Sequence, residues 1–247
     1  SLSPYQGGKP ISELRRELGL DHIVKLASNE NPLGAGPKAL NAMQEAMAEV
    51  GRYPDGNGFE LKQAISEHVS VETQSITLGN GSNDILELLA RAYLCNAEDE
   101  VIFSQYAFVV YPLVTQALGA KSVVTKSKNF GHDLDAMSKA INNKTKLIFI
   151  ANPNNPTGTL LSNEDLYKFL LKVPSSAIVV LDQAYIEYLN VIDDTVQWLQ
   201  EFDNLVITRT FSKAYGLAGL RVGYSISSSQ IADYLNRIRQ PFNVNYV

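Results

Sequence analysis

A lysine in a loop of small residues is the residue in this sequence best suited to covalent chemistry. Lys213 lies in the run Thr-Phe-Ser-Lys-Ala-Tyr-Gly, after the apolar residues 205–207 and before a second apolar run at 220–226. A lysine held near a partner that lowers its pKa becomes a Schiff-base nucleophile. Arg221, eight residues further on, can bind an anion through two parallel hydrogen bonds. An ordinary loop lysine and a strand-edge arginine explain this stretch equally well, so the rest of the chain must decide.

A second chemical feature is a glycine-rich turn between a strand and a helix. Residues 76–78 predict a short strand, Gly-Asn-Gly-Ser-Asn-Asp at 79–84 a turn, and residues 85–94 a helix. Free backbone N–H groups and the helix dipole both favour an anion at such a helix start, and a phosphate fits best. Simple capping of the helix by Ser82 or Asn83 is an alternative interpretation that is compatible with phosphate binding.

Strands and helices that alternate along the chain must position these groups. Apolar strands are predicted at 100–104, 121–126, 146–151, 177–181, 205–208 and 220–226, and helices at 11–18, 37–50, 59–69, 108–118, 134–141, 164–171 and 195–201. Continuous apolar strands indicate a sheet that is buried on both faces. The alternation predicts the α/β class, with a doubly wound, mainly parallel sheet.

Ligands of such sheets bind outside the carboxyl ends of the strands. The motif Asn-Pro-Asn-Asn-Pro-Thr-Gly at 152–158 leaves one predicted strand, and Asp182 ends the next. Lys213 and the turn at 79–84 each follow the end of another strand. A loop, a strand-end aspartate, a loop lysine and a helix cap are ordinary features taken singly. Because all four lie at strand ends, we expect them to meet at one edge of the sheet.

These groups together suit pyridoxal 5'-phosphate, which is an electron sink for a carbanion at the α-carbon of an amino acid. Lys213 is predicted to form the Schiff base and then to act as the base that moves the α-proton. Asp182 is predicted to lie against the pyridine nitrogen and to keep it protonated.

The remaining parts of the cofactor also find partners in the sequence. Tyr185 and Asn155 are predicted to hydrogen-bond the ring oxygen. Phe108 is predicted to stack on the pyridine face, with Tyr111 as the alternative. The phosphate is predicted to bind the N–H groups of Ser82 and Asn83, together with Ser212 and Arg221.

Composition limits the other classes of partner. The 247 residues are 45% apolar and 19% charged with a net charge of −5, which indicates a globular protein and argues against nucleic acid or an anionic membrane as partner. With no long apolar stretch and no signal peptide in this sequence, we expect a cytoplasmic location. The single Cys95 excludes an intrachain disulfide and is predicted to pack in a helix. The three histidines lack the spacing of metal ligands, so we expect no metal site.

The motifs as a set resemble one enzyme family. Asn-Pro-Asn-Asn-Pro-Thr-Gly, Leu-Asp-Gln-Ala-Tyr and Thr-Phe-Ser-Lys-Ala-Tyr-Gly-Leu-Ala-Gly-Leu-Arg-Val-Gly-Tyr resemble the fold-type I pyridoxal-phosphate aminotransferases. Lys-Leu-Ala-Ser-Asn-Glu-Asn-Pro-Leu-Gly, Arg-Tyr-Pro-Asp and Gly-Asn-Gly-Ser-Asn-Asp are similar to the histidinol-phosphate aminotransferases within that family. The resemblance covers essentially the whole chain. It implies transamination between L-histidinol phosphate and 2-oxoglutarate in histidine biosynthesis.

The resemblance implies the roles already given for the site residues and adds Thr210 to the phosphate group. It also implies a homodimer with the active site at the interface, in which Tyr53 reaches the phosphate of the neighbouring subunit's cofactor. Gln183 stands where the family often has glutamate, and Ser-Asn-Asp stands where Ser/Ala-Asp-Glu is usual. Asp182 is kept and backbone groups hold the phosphate, so we expect neither departure to change the cofactor chemistry.

The resemblance further implies a domain layout. Residues 1–30 would form an N-terminal arm and short helix, and residues 31–247 the large, pyridoxal-phosphate-binding domain. Residues 240–245 resemble the segment that leads into a long helix and a small C-terminal domain, whose arginines recognise the substrate. The sequence ends at Val247, so we expect this chain to lack the small domain and with it the residues that select the amine.

Three other functions share parts of this pattern. An aromatic amino acid aminotransferase would prefer phenylalanine to a phosphorylated amine. A lyase of the threonine-phosphate decarboxylase type would use the same cofactor residues and release CO₂. A ligand-sensing domain of a transcription regulator would need a DNA-binding module, and no basic helix-turn-helix stretch precedes Lys25.

Overall fold

A single mixed sheet organises the chain. The structure, a computed structural model, describes residues 8–190 and 195–247, so the first seven residues of the predicted arm lie outside the described part. The strands are β1 (Ile76–Asn80), β2 (Glu100–Ser104), β3 (Lys121–Thr125), β4 (Thr145–Ala151), β5 (Ile178–Asp182), β6 (Leu205–Thr210) and β7 (Val222–Ser227). Their order across the sheet is β1-β7-β6-β5-β4-β2-β3.

The predicted mainly parallel α/β sheet is confirmed, with one strand reversed. The central pairs β6–β5, β5–β4, β4–β2 and β2–β3 are parallel, whereas β7 runs antiparallel to both β6 and β1. A parallel neighbour needs a crossover of a dozen or more residues, usually with an α-helix. Only residues 211–221, with one short 3₁₀ turn, join β6 to β7. The chain therefore folds straight back, and the loop that contains Lys213 is held between two adjacent strands.

Helices cover both faces of the sheet. They are α1 (Ile11–Leu18), α2 (Pro37–Ala46), α3 (Phe59–Val69), α4 (Ser82–Tyr93), α5 (Val110–Ala117), α6 (Leu134–Ala140), α7 (Asn163–Leu170) and α8 (Ser229–Ile238). The predicted bounds of α1 and α3 are confirmed. The stretch predicted as helix at 195–201 is a 3₁₀ helix at Thr195–Gln200. Helix α8 was not predicted. It starts after Ser228, and the side chain of Ser228 accepts a hydrogen bond from the N–H of Ile231.

The core lies on both sides of the sheet, as the continuous apolar strands predict. On one face Ile148 and Ile150 of β4 pack with side chains from α3, α6 and α7. On the other face Leu147 and Phe149 of the same strand pack with α4, α5 and α8. Adjacent residues of a strand point to opposite faces, so one apolar strand contributes to two cores at once. Among the described residues, no helix is long and apolar enough to cross a membrane.

Two local predictions were wrong. Helix α4 begins at Ser82 rather than at residue 85, with Gly81 as N-cap and no side-chain capping hydrogen bond, so neither Ser82 nor Asn83 is the cap. Cys95 does not pack in a helix, since α4 ends at Tyr93 and Cys95 is exposed in the following turn. Both errors concern the ends of α4, where apolar periodicity is weakest as a guide.

The close approach of α4 to β7 gives a test of the fold. A Cβ atom on Gly223 would lie 2.4 Å from the backbone nitrogen of Ser82, a distance that requires the start of α4 to move. We expect Gly223→Ala to lower the free energy of unfolding by about 1–3 kcal/mol, the usual cost of overpacking. Gly219→Ala is the matched control, because no atom lies within 4 Å of its added Cβ. Denaturant unfolding of both variants decides, and equal midpoints would contradict the packing described.

Candidate active site

The predicted site residues line one cleft at the carboxyl ends of the strands. The cleft has a volume of about 800 Å³ and opens beside the last residues of β4, β5 and β6. Of the predicted residues, those that line it are Ser82, Asn83, Phe108, Asn155, Asp182, Tyr185, Thr210, Ser212, Lys213 and Arg221. The exception is Tyr53, which lies elsewhere and is 80% exposed, with its ring stacked on Phe242 at 4.7 Å. The four strand-end motifs therefore meet, as the fold predicts.

Asp182 forms the acidic end of the cleft. It is the last residue of β5 and is only 4% exposed. The hydroxyl of Tyr111 donates to Oδ2 at 2.8 Å, and the backbone N–H of Ala184 donates to Oδ1 at 3.2 Å. Burial raises the pKa of the Asp182 carboxyl, whereas the hydroxyls of Tyr111 and Thr208 and the N–H of Ala184 lower it to smaller extents. The side chain is thus a desolvated carboxylate whose two oxygens each receive a hydrogen bond from the protein.

Tyr111 was missed by the sequence analysis as a partner of Asp182. The sequence indicates Tyr111 only as the alternative to Phe108 for stacking on a ligand ring. Its complete burial rules out that role. Tyr111 is fully buried and its ring stacks on Phe149 at 4.5 Å and 4° between planes. Phe108 lines the cleft and meets the Tyr111 ring edge-on at 5.8 Å. Only the apolar spacing of α5 hinted at Tyr111, and that spacing does not reveal where the hydroxyl points.

Lys213 lies at the middle of the cleft wall and is held by a backbone oxygen. Its Nζ donates to the carbonyl of Ser28 at 2.7 Å and lies 5.7 Å from the centre of the Tyr185 ring. Burial lowers the pKa of the Lys213 amine; Glu30 raises it and Arg221 lowers it to smaller extents. A larger fraction of this amine is therefore unprotonated at a given pH than for a solvated lysine.

A loop from the N-terminal part of the chain reaches across the cleft. We call residues 28–31 the N-terminal strap. Asn29 donates to the Tyr185 hydroxyl at 3.0 Å, and Asn31 donates to the carbonyl of Ala214 at 2.8 Å. The backbone of the strap is unusual, since Ser28 and Asn29 have φ of 70° and 51°, in the left-handed region. That the strap holds the lysine and the tyrosine of the site was not predicted.

A second group of lining residues, at the start of α4 and around Arg221, is suited to an anion. The N-terminus of α4 points into it without a side-chain cap, and its first residues, Ser82 and Asn83, line the cleft. The guanidinium of Arg221 lies against Gly81. A Cβ atom added to that glycine would lie 2.3 Å from Nη2 of Arg221. The other nitrogen, Nη1, donates to Ser212 Oγ at 3.1 Å and to the carbonyl of Ala218 at 3.0 Å. Helix dipole, free N–H groups and guanidinium thus act at one place.

Gln183, which the resemblance singles out as a departure, does not line the cleft. Its Oε1 accepts from Arg209 Nε at 3.0 Å, and its Nε2 donates to Thr195 Oγ1 at 2.7 Å. The side chain is buried and its amide serves as donor and acceptor together. Both bonds use the neutral amide, so the substitution leaves the charge inside the cleft unchanged.

Comparison with known proteins adds an independent line of observation. The family model for aminotransferase class I and II matches residues 21–246. The chain is 61% identical over 248 residues to histidinol-phosphate aminotransferase 1 of Idiomarina loihiensis and 60% identical to histidinol-phosphate aminotransferase 2 of Pseudomonas fluorescens. The chain belongs to the histidinol-phosphate aminotransferases of the class I and II family. The resemblance of the motifs is thereby confirmed.

Solved structures of this aminotransferase family share the fold. The crystal structure of histidinol-phosphate aminotransferase from Sinorhizobium meliloti, in complex with pyridoxal-5'-phosphate, superposes with a TM-score of 0.90 at 28% identity and covers 97% of this chain. The enzyme from Clostridium acetobutylicum superposes at 0.80 with 26% identity over 89% of this chain. The chain spans 65% of each of those two structures and 67% of each of the two relatives above, and 99% of this chain aligns with each of those two relatives.

The state of the Lys213 amine can be tested without any ligand. Burial lowers its pKa, whereas a hydrogen bond from Lys168 to Glu164 raises the pKa of Lys168. In cofactor-free protein pulsed with acetic anhydride, we expect Lys213 to acetylate with a midpoint at lower pH than Lys168. Mass spectrometry of peptides from a pH series gives both midpoints. The comparison uses midpoints, so the lower accessibility of Lys213 does not affect it, and equal midpoints would contradict the buried environment.

Proposed function

We propose that the protein carrying this chain transfers the amino group of L-histidinol phosphate to 2-oxoglutarate, with pyridoxal 5'-phosphate as cofactor, in histidine biosynthesis. The observation that carries the proposal is that Lys213, Asp182 and the anion-binding N-terminus of α4 line one cleft. The aminotransferase family explains why these three groups occur together. The histidinol-phosphate aminotransferases at about 60% identity support the choice of amine.

The residues that line the cleft offer a partner for each part of the cofactor. Asp182 would face the pyridine nitrogen, and Phe108 one face of the ring. Asn155 and Tyr185 would lie near the ring oxygen. The phosphate would bind at the uncapped start of α4 with Ser82, Asn83, Thr210, Ser212 and Arg221. When bound, the cofactor supplies an electron sink that makes the hydrogen on the amine-bearing carbon of the substrate acidic.

Lys213 would supply the nucleophile and the base. An unprotonated Nζ can bond to a carbonyl carbon and can later accept a proton from carbon, and burial favours that unprotonated form. The Ser28 carbonyl accepts a hydrogen bond from Nζ at 2.7 Å and so holds the amine in the cleft. Asn29 holds the Tyr185 hydroxyl, so the N-terminal strap orients both side chains that would meet the reacting carbon.

An absorbance experiment tests this function. We expect the full-length protein, loaded with pyridoxal 5'-phosphate, to shift to the spectrum of the pyridoxamine form on addition of histidinol phosphate, and to do so at lower concentration than with phenylalanine. Lys213→Ala should show neither the original band nor the shift, because the amine that moves the proton is gone. A preference for phenylalanine would point to an aromatic aminotransferase. Release of CO₂ from added threonine phosphate, which has the carboxylate that histidinol phosphate lacks, without a keto product would point to a lyase. Turnover retained by Lys213→Ala would remove the mechanism.

We also propose a cytoplasmic homodimer with a shared site, in which residues 1–30 form an arm and residues 31–247 a cofactor-binding domain. Large apolar side chains that face outward support an interface, among them Leu26 at 89% exposed, Leu33 at 91% and Phe59 at 69%. Tyr53 belongs to the same exposed set. Tyr53 does not line the cleft of its own chain, and its exposed phenol can reach the cleft of a neighbouring subunit. A biosynthetic role supports the cytoplasmic location.

The shared site predicts an effect of Tyr53 on cofactor binding. Loss of a hydrogen bond to a charged phosphate costs about 1.5–3 kcal/mol, so we expect Tyr53→Phe to weaken pyridoxal-phosphate binding by about ten- to hundredfold. Tyr234→Phe is the control, since that hydroxyl accepts a bond from Gln230 on the outer surface of α8. Fluorescence titration gives the affinities, and sedimentation gives the oligomeric state. A monomeric protein, or an unchanged affinity in Tyr53→Phe, would contradict the proposal.

A further inference from the structure

We propose that Tyr111 is a positioning residue for Asp182, and that its hydroxyl fixes the carboxylate as an anion aimed at the nitrogen of the bound cofactor. The inference rests on the proposed function and deepens it, because it assigns the control of the cofactor's nitrogen to a side chain that does not touch the cofactor. Tyr111, in the first turn of α5, and Asp182, the last residue of β5, are 71 residues apart in sequence and meet through this hydrogen bond.

The position of the hydroxyl is fixed by packing on both sides of its ring. Tyr111 is fully buried, its ring lies flat on Phe149 of β4, and the ring of Phe108 meets it at 90° with the centroids 5.8 Å apart. Within its helix, the Tyr111 carbonyl accepts a bond from Thr115 Oγ1 at 2.8 Å. The ring therefore has no room to turn, and the O–H group that it carries points at Asp182 Oδ2. A rigid donor of this kind orients its acceptor as well as stabilising it.

The chemistry of the pair keeps the donor and acceptor roles constant. Burial, and next the Asp182 carboxylate, raise the pKa of Tyr111 well above its ordinary value, so the phenol stays protonated and always donates. The Tyr111 hydroxyl is the largest of the influences that lower the pKa of Asp182, ahead of the Thr208 hydroxyl and the N–H of Ala184. Without it, Oδ2 would lose its 2.8 Å hydrogen bond and burial would raise the pKa of Asp182 further, in favour of the neutral acid. A neutral Asp182 could no longer hold a proton on the nitrogen of a bound ring. The hydroxyl thus determines which protonation state faces the cleft.

The same side chain also links the two groups expected to contact the cofactor ring. Phe108, the predicted stacking residue, meets Tyr111 at 90° between planes, while the hydroxyl of Tyr111 meets Asp182. A shift of Tyr111 would move the ring-face contact and the carboxylate together. The other ionisable groups of the cleft are Glu30, Tyr185, Lys213 and Arg221, and none of them forms an ion pair or hydrogen bond with Asp182 within the described ranges.

The test removes the hydroxyl and leaves the ring. In the full-length protein, Tyr111→Phe retains the stacking on Phe149, and pyridoxal 5'-phosphate is titrated across a pH series by absorbance and fluorescence. We expect roughly ten- to hundredfold weaker binding at neutral pH, the usual effect of losing a hydrogen bond to a charged group. The pH below which affinity falls should also move upward, because Asp182 of the variant takes up a proton more readily.

Two further variants separate positioning from general packing. Tyr224→Phe removes another buried phenol, one that faces Arg209 rather than the cleft, and it should leave the pH profile of cofactor binding unchanged. In an Asp182→Asn background, Tyr111→Phe should have a much smaller effect than in the wild type, because the charge on which the hydroxyl acts is already absent. Far-UV circular dichroism confirms that each variant is folded.

The outcomes are distinct. An unchanged affinity and pH profile in Tyr111→Phe, with normal binding by the wild type, would overturn this inference alone. An effect of equal size in the Asp182→Asn background would also overturn it, since that effect would then come from packing. Failure of the wild-type protein to bind pyridoxal 5'-phosphate would overturn the proposed function, and this inference with it.

Discussion

A buried negative charge is the constraint on which the site depends. Asp182 ends a strand with apolar neighbours and little access to water, where an unpartnered carboxylate would take up a proton. Two elements meet the constraint: the turn after β5 supplies the N–H of Ala184, and α5 supplies the hydroxyl of Tyr111. The packing of α5 against β4 therefore serves two purposes: it builds the core, and it places the Tyr111 hydroxyl where it stabilises the Asp182 carboxylate. Phe149 serves both, since it is part of the core and also the surface on which Tyr111 stacks.

The reversed strand β7 provides the other half of the arrangement. Because β6 turns directly into β7, the loop between them starts and ends at the same edge of the sheet. Lys213 and Arg221 are carried by that loop and so occupy fixed places relative to Asp182, one strand away. The antiparallel return also brings Gly223 against the start of α4. The lysine, the arginine and the helix start thus share one structural support, and the cleft needs no separate scaffold for its anion-binding end.

Much of this arrangement follows from the order of residues along the chain. Apolar runs of uniform character locate β2, β4 and β5, and the rule for strand ends places Asp182, Lys213 and the turn before α4 in one cleft. The contacts between segments that are distant in the chain could not be predicted from the sequence. The bonds from Tyr111 to Asp182, from Asn29 to Tyr185 and from Lys213 to Ser28 join residues 71, 156 and 185 positions apart. No periodicity encodes such pairs, and the direction of β7 depends on the length of a loop rather than on its composition.

The strap has a consequence for how the protein is made. Ser28 leaves the ribosome long before Lys213, and the 185 residues between them take roughly 10 to 40 s to add at ordinary rates of synthesis. During that interval the strap has no lysine, no Tyr185 and no Ala214 to bind. The strap can therefore make these three contacts only after β6 and the loop that carries Lys213 and Ala214 have been translated. The cleft is thus closed by a segment that is made early but reaches its partners late in the synthesis of the sheet.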